Sequence, residues 1–173
     1  MVTSTAPMNT LQRMAMTLSG DNPDDLAGFI ARFTRAACTG PGAKLAECFT
    51  DDGVYHDGFY GAFRGREAIA AMIDDHFHAH SENLKWVYKD ICEGSGLAYG
   101  SYRFHYDSLL PGAEGTRVTM EGMGRFRFQK GLIADYSEIF DVGIGMTQLG
   151  FPAERIARSL QKRAAAVVDG PIL

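Results

Sequence analysis

Residues 49–65 read FTDDGVYHDGFYGAFRG and gather Asp51, Asp52, Tyr55, His56 and Asp57 just ahead of Phe59, Tyr60 and Phe63. An acid beside so many aromatics can serve two ends. Asp57 is either the working carboxylate of a buried pocket or a strand-end acid bonded to nearby backbone amides. A second acid, Glu138, stands in DYSEIFD between Tyr136 and Phe140. A carboxyl between aromatic rings is desolvated, which raises its pKa toward the range useful to a general acid or base. The alternative for Glu138 is a solvated position on a sheet face. His76, His78 and His80 form the phrase HFHAH. On a helix His76 and His80 lie one turn apart and could share a metal, with His78 pointing elsewhere. No third ligand is placed by the sequence, so the site is expected to hold no metal, and His76 can equally be a core histidine with a hydrogen-bonded partner. The proton-transfer set read from these residues is Asp57 or Glu138 as the carboxylate, with His80 or Tyr136 as acid partner.

The elements that must position these groups follow from periodicity. Leu11, Met14 and Leu18 suggest a flanking helix within residues 1–20, before the breaker SGDNPDD. Asp21 or Asn22 can cap the next helix, whose apolar face is Leu26, Phe29, Ile30, Phe33 and Ala37 and whose end is near TGPG. A short helix carries Leu45, Cys48 and Phe49, a strand runs Gly53 to Asp57, and GREAIAAMIDDHFHAH forms a third helix. Four aromatic-rich segments follow, LKWVYKDICEG, LAYGSYRFHYDSL, RVTMEGMGRFRFQ and LIADYSEIFDVG, joined by short glycine-bearing links that predict antiparallel hairpins. A helix over FPAERIARSLQKRAA ends the pattern. Three units result: a flanking helix at 1–20, a pocket domain at 21–150, and a C-terminal helix and tail at 151–173. Helices followed by a strand meander give an α+β class, with helices laid on one face of a curved sheet.

Strand alternation puts Tyr55 on the face of Asp57, and Tyr136 and Phe140 on the face of Glu138. Phe33, Tyr55, Tyr60, His76, Trp86, Tyr102, Phe126 and Phe140 are the residues expected to line the pocket. The strands read as aromatic on both faces, so the outer face is expected to be covered by a second copy of the chain, giving a homodimer. Gly122 and Gly124 lie inside a strand rather than between strand and helix; they leave room and are not a dinucleotide fingerprint.

Of 173 residues 46% are apolar and the net charge is −4, an ordinary globular balance. Lys and Arg are not concentrated as a nucleic-acid surface requires. No leader pattern and no long apolar run is read, so a cytoplasmic protein without membrane contact is expected. Cys38, Cys48 and Cys92 lack the spacing of a disulfide framework or a zinc site and are expected to be reduced, buried small hydrophobes.

The phrase FTDDGVYHDGFYGAFRGREAI, the ending GLIADYSEIFD and the order of elements resemble the nuclear-transport-factor-2-like superfamily, its SnoaL-like branch in particular, over residues 22–143. The resemblance implies a cone-shaped, strongly curved mixed or antiparallel sheet closed by N-terminal helices around a deep pocket. It also implies chemistry that must be carried over position by position. Asp57 falls on the ketosteroid isomerase base. That family's two oxyanion donors fall on Phe33 and Gly124, which can donate nothing from a side chain, so steroid isomerisation is disfavoured. Of the dehydratase pair, Cys38 replaces the aspartate while His80 sits close to the histidine. Glu138 matches the catalytic aspartate of the epoxide hydrolases, whose Arg and Asp partners fall near Tyr102 and Phe104.

The function implied is a lyase or isomerase without a cofactor. It would move a proton on an apolar, aromatic or cyclic small molecule, and elimination of water or of a small carbonyl fragment such as formaldehyde is favoured. The alternative is a non-catalytic small-molecule binder using the same cavity. Several ionisable groups converging in the pocket would favour the enzyme.

Overall fold

The computed structural model describes residues 25–168. Helix α1 (Leu26–Thr39) starts where Asp25 accepts the Gly28 amide at 2.7 Å, so the cap is Asp25 rather than Asp21 or Asn22. Its buried stripe, Phe29, Ile30, Phe33, Thr34 and Ala37, follows the helical repeat and faces the sheet. Helix α2 (Gly42–Ala46) is shorter than its apolar pattern suggested, because Phe49 already belongs to strand β1 (Phe49–Asp57). The expected flanking helix around Leu11, Met14 and Leu18 lies outside the described residues.

After the turn at Gly58–Tyr60 comes β2 (Gly61–Arg64), which pairs with β1 in the register Asp57↔Gly61. The sequence reading contained no such strand. The helical run that follows is α3 (Arg66–Met72), a π-helical turn (Ile73–Phe77) and a last turn α4 (His78–His80). Strands β3 (Ser81–Gly94), β4 (Leu97–Ser108), β5 (Arg117–Gln129) and β6 (Leu132–Phe140) then form the antiparallel meander that the segments predicted. Two of its links are two-residue turns in which both residues have positive φ, Ser95–Gly96 (53° and 75°) and Lys130–Gly131 (52° and 78°). That geometry matches the twist of a hairpin and explains the glycine in each link.

The six strands are ordered β2-β1-β6-β5-β4-β3, with β1 parallel to β6 and every other pair antiparallel. The sheet is curved and open, and the helices close it as a cone. Register breaks at Glu82/Lys85 and Lys89/Cys92 in β3 coincide with Asn83 and Asp90 at φ 54° and 51°, and they bend the strand. A further break, with Arg127↔Asp135 followed by Phe128↔Ile133, leaves Ala134 as an extra residue in β6. Ile133 is therefore the buried neighbour of Tyr136 on the inner side, where uninterrupted alternation would put Ala134.

Two apolar clusters divide the interior. The larger joins α1, α2 and α3 to the sheet through Phe33, Phe49, Tyr55, Phe126 and Tyr136, all 0% exposed. The smaller is Val118, Met120, Phe140, Val142 and Met146, closed by α5 (Val142–Gln148), a helix formed where the reading had extended β6. Helix α6 (Ala153–Val168) follows and buries none of its residues.

Most of the strand aromatics occupy one face, and Tyr99 is on the other. Trp86, Tyr88, Tyr102, Phe104, Phe126 and Phe128 all pack against the larger cluster, and the large apolar side chains exposed along β3 to β6 are Val87, Tyr99, Met123 and Ile139. Cys48 is buried as expected, whereas Cys38 is only half-buried and Cys92 is exposed because it lies at the register break of β3; all three are free. No helix among the described residues is long and apolar enough to cross a membrane.

Candidate active site

A cavity open to solvent lies between the two clusters and is lined by residues of both. Phe59, Trp86, Phe104, Met120 and Phe140 supply apolar wall, and Asp57, His76, His80, Tyr102 and Glu138 supply its ionisable groups. Every element contributes for a local reason. Asp57 is the last residue of β1, placed where the chain must turn. Glu138 points inward because it stands two residues after the buried Tyr136 in an unbroken stretch of β6. His76 sits in the π-helical turn and stacks on Tyr60, ring centroids 4.7 Å apart at 18°. His80 ends the same run at the exposed rim, while His78 turns away and donates Nε2–H to the Ala37 carbonyl at 2.9 Å.

Asp57 is 7% exposed, and its Oδ1 accepts the amides of Phe59 and Tyr60, each at 2.7 Å. Burial pushes its pKa up, while those two amides and the charges of His76 and Arg163 favour the ionised form. Both readings of this residue therefore describe one arrangement: Asp57 holds the turn and also lines the cavity.

Glu138 is arranged otherwise. Oε2 accepts the phenols of Tyr102 at 2.9 Å and Tyr136 at 3.0 Å, and Tyr136 in turn stands 2.8 Å from the Tyr88 hydroxyl. Since Tyr136 donates to the carboxyl, Tyr88 donates to Tyr136, and a directed chain of phenols ends on Glu138. Burial first, and then the nearby Asp57 charge, push the Glu138 carboxyl up to about 8 despite these donors and the Gly58 amide. The mutual repulsion falls on Glu138 because Asp57 has the better support for its charge. Of the two, Glu138 is held the more strongly in its protonated form, while two amides support the charge on Asp57. Two carboxyls driven apart in this way supply a base and an acid side by side.

The structure does not bring every expected lining residue to the cavity. Tyr60, His76, Trp86, Tyr102 and Phe140 line it, as do Asp57, Glu138 and His80. Phe33, Tyr55 and Phe126 are the packed floor beneath, and Tyr136 lies behind Glu138 and reaches the site through it. The Tyr55 hydroxyl is buried without a partner. Among the described residues no three His, Cys, Asp or Glu side chains are grouped to hold a metal ion.

The sequence reading did not place Tyr88 or the phenol chain, but a signal for them was present in Gly122 and Gly124. A Cβ on Gly122 would lie 2.6 Å from the Tyr102 hydroxyl, and one on Gly124 would lie 2.1 Å from the Tyr88 hydroxyl. The glycines are sockets for the two phenols. The phenols of β3, β4 and β6 donate to one another and to Glu138.

A family model described as the SnoaL-like domain matches residues 29–136. No curated protein matches the chain. Among solved structures, a Catenulispora acidiphila DSM 44928 protein with a ketosteroid isomerase-like fold, solved with trimethylamine, is 18% identical with a TM-score of 0.65, covering 73% of this chain and 95% of its own. TsrD from Streptomyces laurentii is 21% identical with a TM-score of 0.62, covering 75% of this chain and 97% of its own. An epoxide hydrolase of M. tuberculosis described as LEH-like is 17% identical with a TM-score of 0.57, covering 83% of this chain and 95% of its own. At such identities the likeness is one of fold.

Proposed function

Because the chain belongs to the SnoaL-like domain family, which includes enzymes as well as binders around a shared cavity, we propose that it is an acid–base enzyme of the lyase or isomerase class. Its substrate is an apolar, aromatic or cyclic small molecule, and the reaction asks for no cofactor. The observation that carries this reading is the pair Asp57 and Glu138 in one aromatic cavity, the first supported as a carboxylate and the second held as an acid to about 8.

Elimination suits the pair. Asp57 takes a proton from carbon, the C–H electron pair becomes the new double bond, the neighbouring C–O bond breaks, and the departing oxygen takes the Glu138 proton. Release of formaldehyde uses the same two groups: Asp57 takes the proton of a –CH₂OH hydroxyl, the O–H pair becomes the C=O bond, the C–C bond breaks and its pair forms a C=C bond as the neighbouring C–O bond breaks, and the departing oxygen takes the Glu138 proton. Phe33 is 0% exposed in the core and Gly124 is filled by Tyr88, so steroid isomerisation through donors at those positions has no support. A binder needs no acid of this kind; two carboxyls and two histidines on one cavity favour turnover.

Deuterium wash-in tests the reading. The protein is incubated in D₂O with a panel of cyclic and aryl compounds carrying an acidic C–H beside a leaving oxygen, and exchange and elimination are followed by NMR. At least one member should exchange, and Asp57→Asn should lower that rate by about two to four orders of magnitude, the usual share of a general base. An unaffected Asp57→Asn variant would remove Asp57 from the chemistry.

A further inference from the structure

Among the described residues, the permanent positive charge that reaches this site comes from outside the region shared with the family. The match ends at residue 136, whereas α6 runs Ala153–Val168. Among the described residues lining the cavity there is no Lys or Arg. Arg163 of α6 nevertheless donates Nη1–H to the carbonyl of Gly58, the residue that follows Asp57 in the turn. Helix α6 lies on α5, where a Cβ on Gly143 would be 3.7 Å from both Ile156 and Leu160 side chains. Arg163 continues that stripe at helical spacing, seven residues beyond Ile156. Helix α5 also meets the turn, since a Cβ on Gly145 would be 3.5 Å from the Phe59 ring. The turn carrying Asp57 is thus clasped from the C-terminal side, by a helix that buries no residue of its own.

We propose that Arg163 is a positioning residue of the active site: α6 is a strap that delivers its guanidinium to the Gly58 carbonyl, fixing the Asp57–Tyr60 turn and setting a cation beside the Asp57 carboxyl. The proposal deepens the acid–base reading, since it concerns the same carboxylate. The groups acting on or facing Asp57 come from five other places: His76 from the π-helical turn, Glu138 from β6, Tyr102 from β4, Tyr60 from the turn itself and Tyr55 from β1. Apart from His76 these groups are neutral or negative, and the strap adds a permanent cation that no described Lys or Arg of the lining supplies.

The test reads Asp57 directly. Side-chain carboxyls are labelled with ¹³C and titrated by NMR, with the Asp57 signal identified by its loss in Asp57→Asn. In Arg163→Gln the midpoint should move to higher pH, because losing a cation disfavours the carboxylate. Arg163→Lys keeps the charge and should return the midpoint toward wild type. Where a substrate is in hand, kcat/KM of Arg163→Gln should fall about two- to fivefold on the acid limb and approach wild type above it, the scale of a partly exposed charge pair. An unmoved midpoint in Arg163→Gln, or equal movement in the Gln and Lys variants, would overturn the proposal. The titration needs no turnover, so it stands or fails separately from the proposed reaction.

Discussion

Replacing Glu138 by Gln should make the protein more stable at pH 8 than at pH 5, relative to wild type, while damaging its chemistry. A carboxyl raised from its ordinary 4.5 to about 8 keeps its proton in the folded state over a window in which the unfolded chain has lost it. The unfolded state binds fewer protons there, so stability falls as pH rises from 4.5 to 8 and is fully lost above 8. At ~1.36 kcal/mol per pH unit the whole window is worth at most about 5 kcal/mol. Part of the rise comes from the Asp57 charge, which fades as Asp57 itself protonates, so a difference on the order of 3–5 kcal/mol is expected. Gln does not ionise, and its carbonyl oxygen can still accept both phenols. Thermal or urea unfolding of the two proteins at pH 5 and pH 8 gives the result; at about 2–4 °C per kcal/mol for a chain of this size, Glu138→Gln should gain roughly 6–20 °C over wild type at pH 8 and far less at pH 5. Other titrating groups are common to both proteins and cancel in the difference. Curves displaced by the same amount at both pH values would refute the reasoning, because a pH-independent gain is packing and not proton linkage.

Gly124→Ala should expel the Tyr88 hydroxyl from its socket and cost about 2–4 kcal/mol, overpacking plus one lost hydrogen bond, read by denaturant unfolding; Tyr88→Phe in the same background should recover part of that loss. Light scattering in dilute solution should give twice the chain mass of 18.9 kDa if the outer sheet face, with Val87, Tyr99, Met123 and Ile139 exposed, is covered by a second copy; a monomer mass would reject that expectation.

The meander and the helices were legible because each has a clean period and an end signal. Strand β2 was not, since four residues paired only to β1 carry no period, and its partner is chosen by the turn that Asp57 holds. Helix α5 was missed because Asp141, whose side chain accepts the Gly143 amide at 2.8 Å, is also a plausible strand end. The bends in β3 rest on Asn83 and Asp90 in left-handed backbone, a conformation these residue types tolerate without announcing it. For the site, alternation from Asp57 correctly kept Tyr55 inside and His56 outside, yet it could not tell the floor of a cone from its open part. That depends on how far the sheet curls, which is set by long-range register and not by local pattern.

The same limit hides the phenol chain. Matching positions to a relative asks what the residue at each place can donate, and Phe33 and Gly124 can donate nothing. Curvature brings β3, β4 and β6 close enough that a side chain of one strand crosses over another, and the position beneath it must then be small. Gly124 is empty because Tyr88 fills it, and Gly122 because Tyr102 does. A glycine inside a strand of a curled sheet is therefore a statement about its neighbours. Here it says that two phenols pass over β5, one to reach Glu138 directly and the other through Tyr136, so that the acid is oriented by hydroxyls while the opposing base is held by amides. Phenols support the carboxyl on Glu138 without ionising it, and amides with Arg163 support the charge on Asp57. In the proposed reaction that difference in support is what assigns one carboxyl as acid and the other as base.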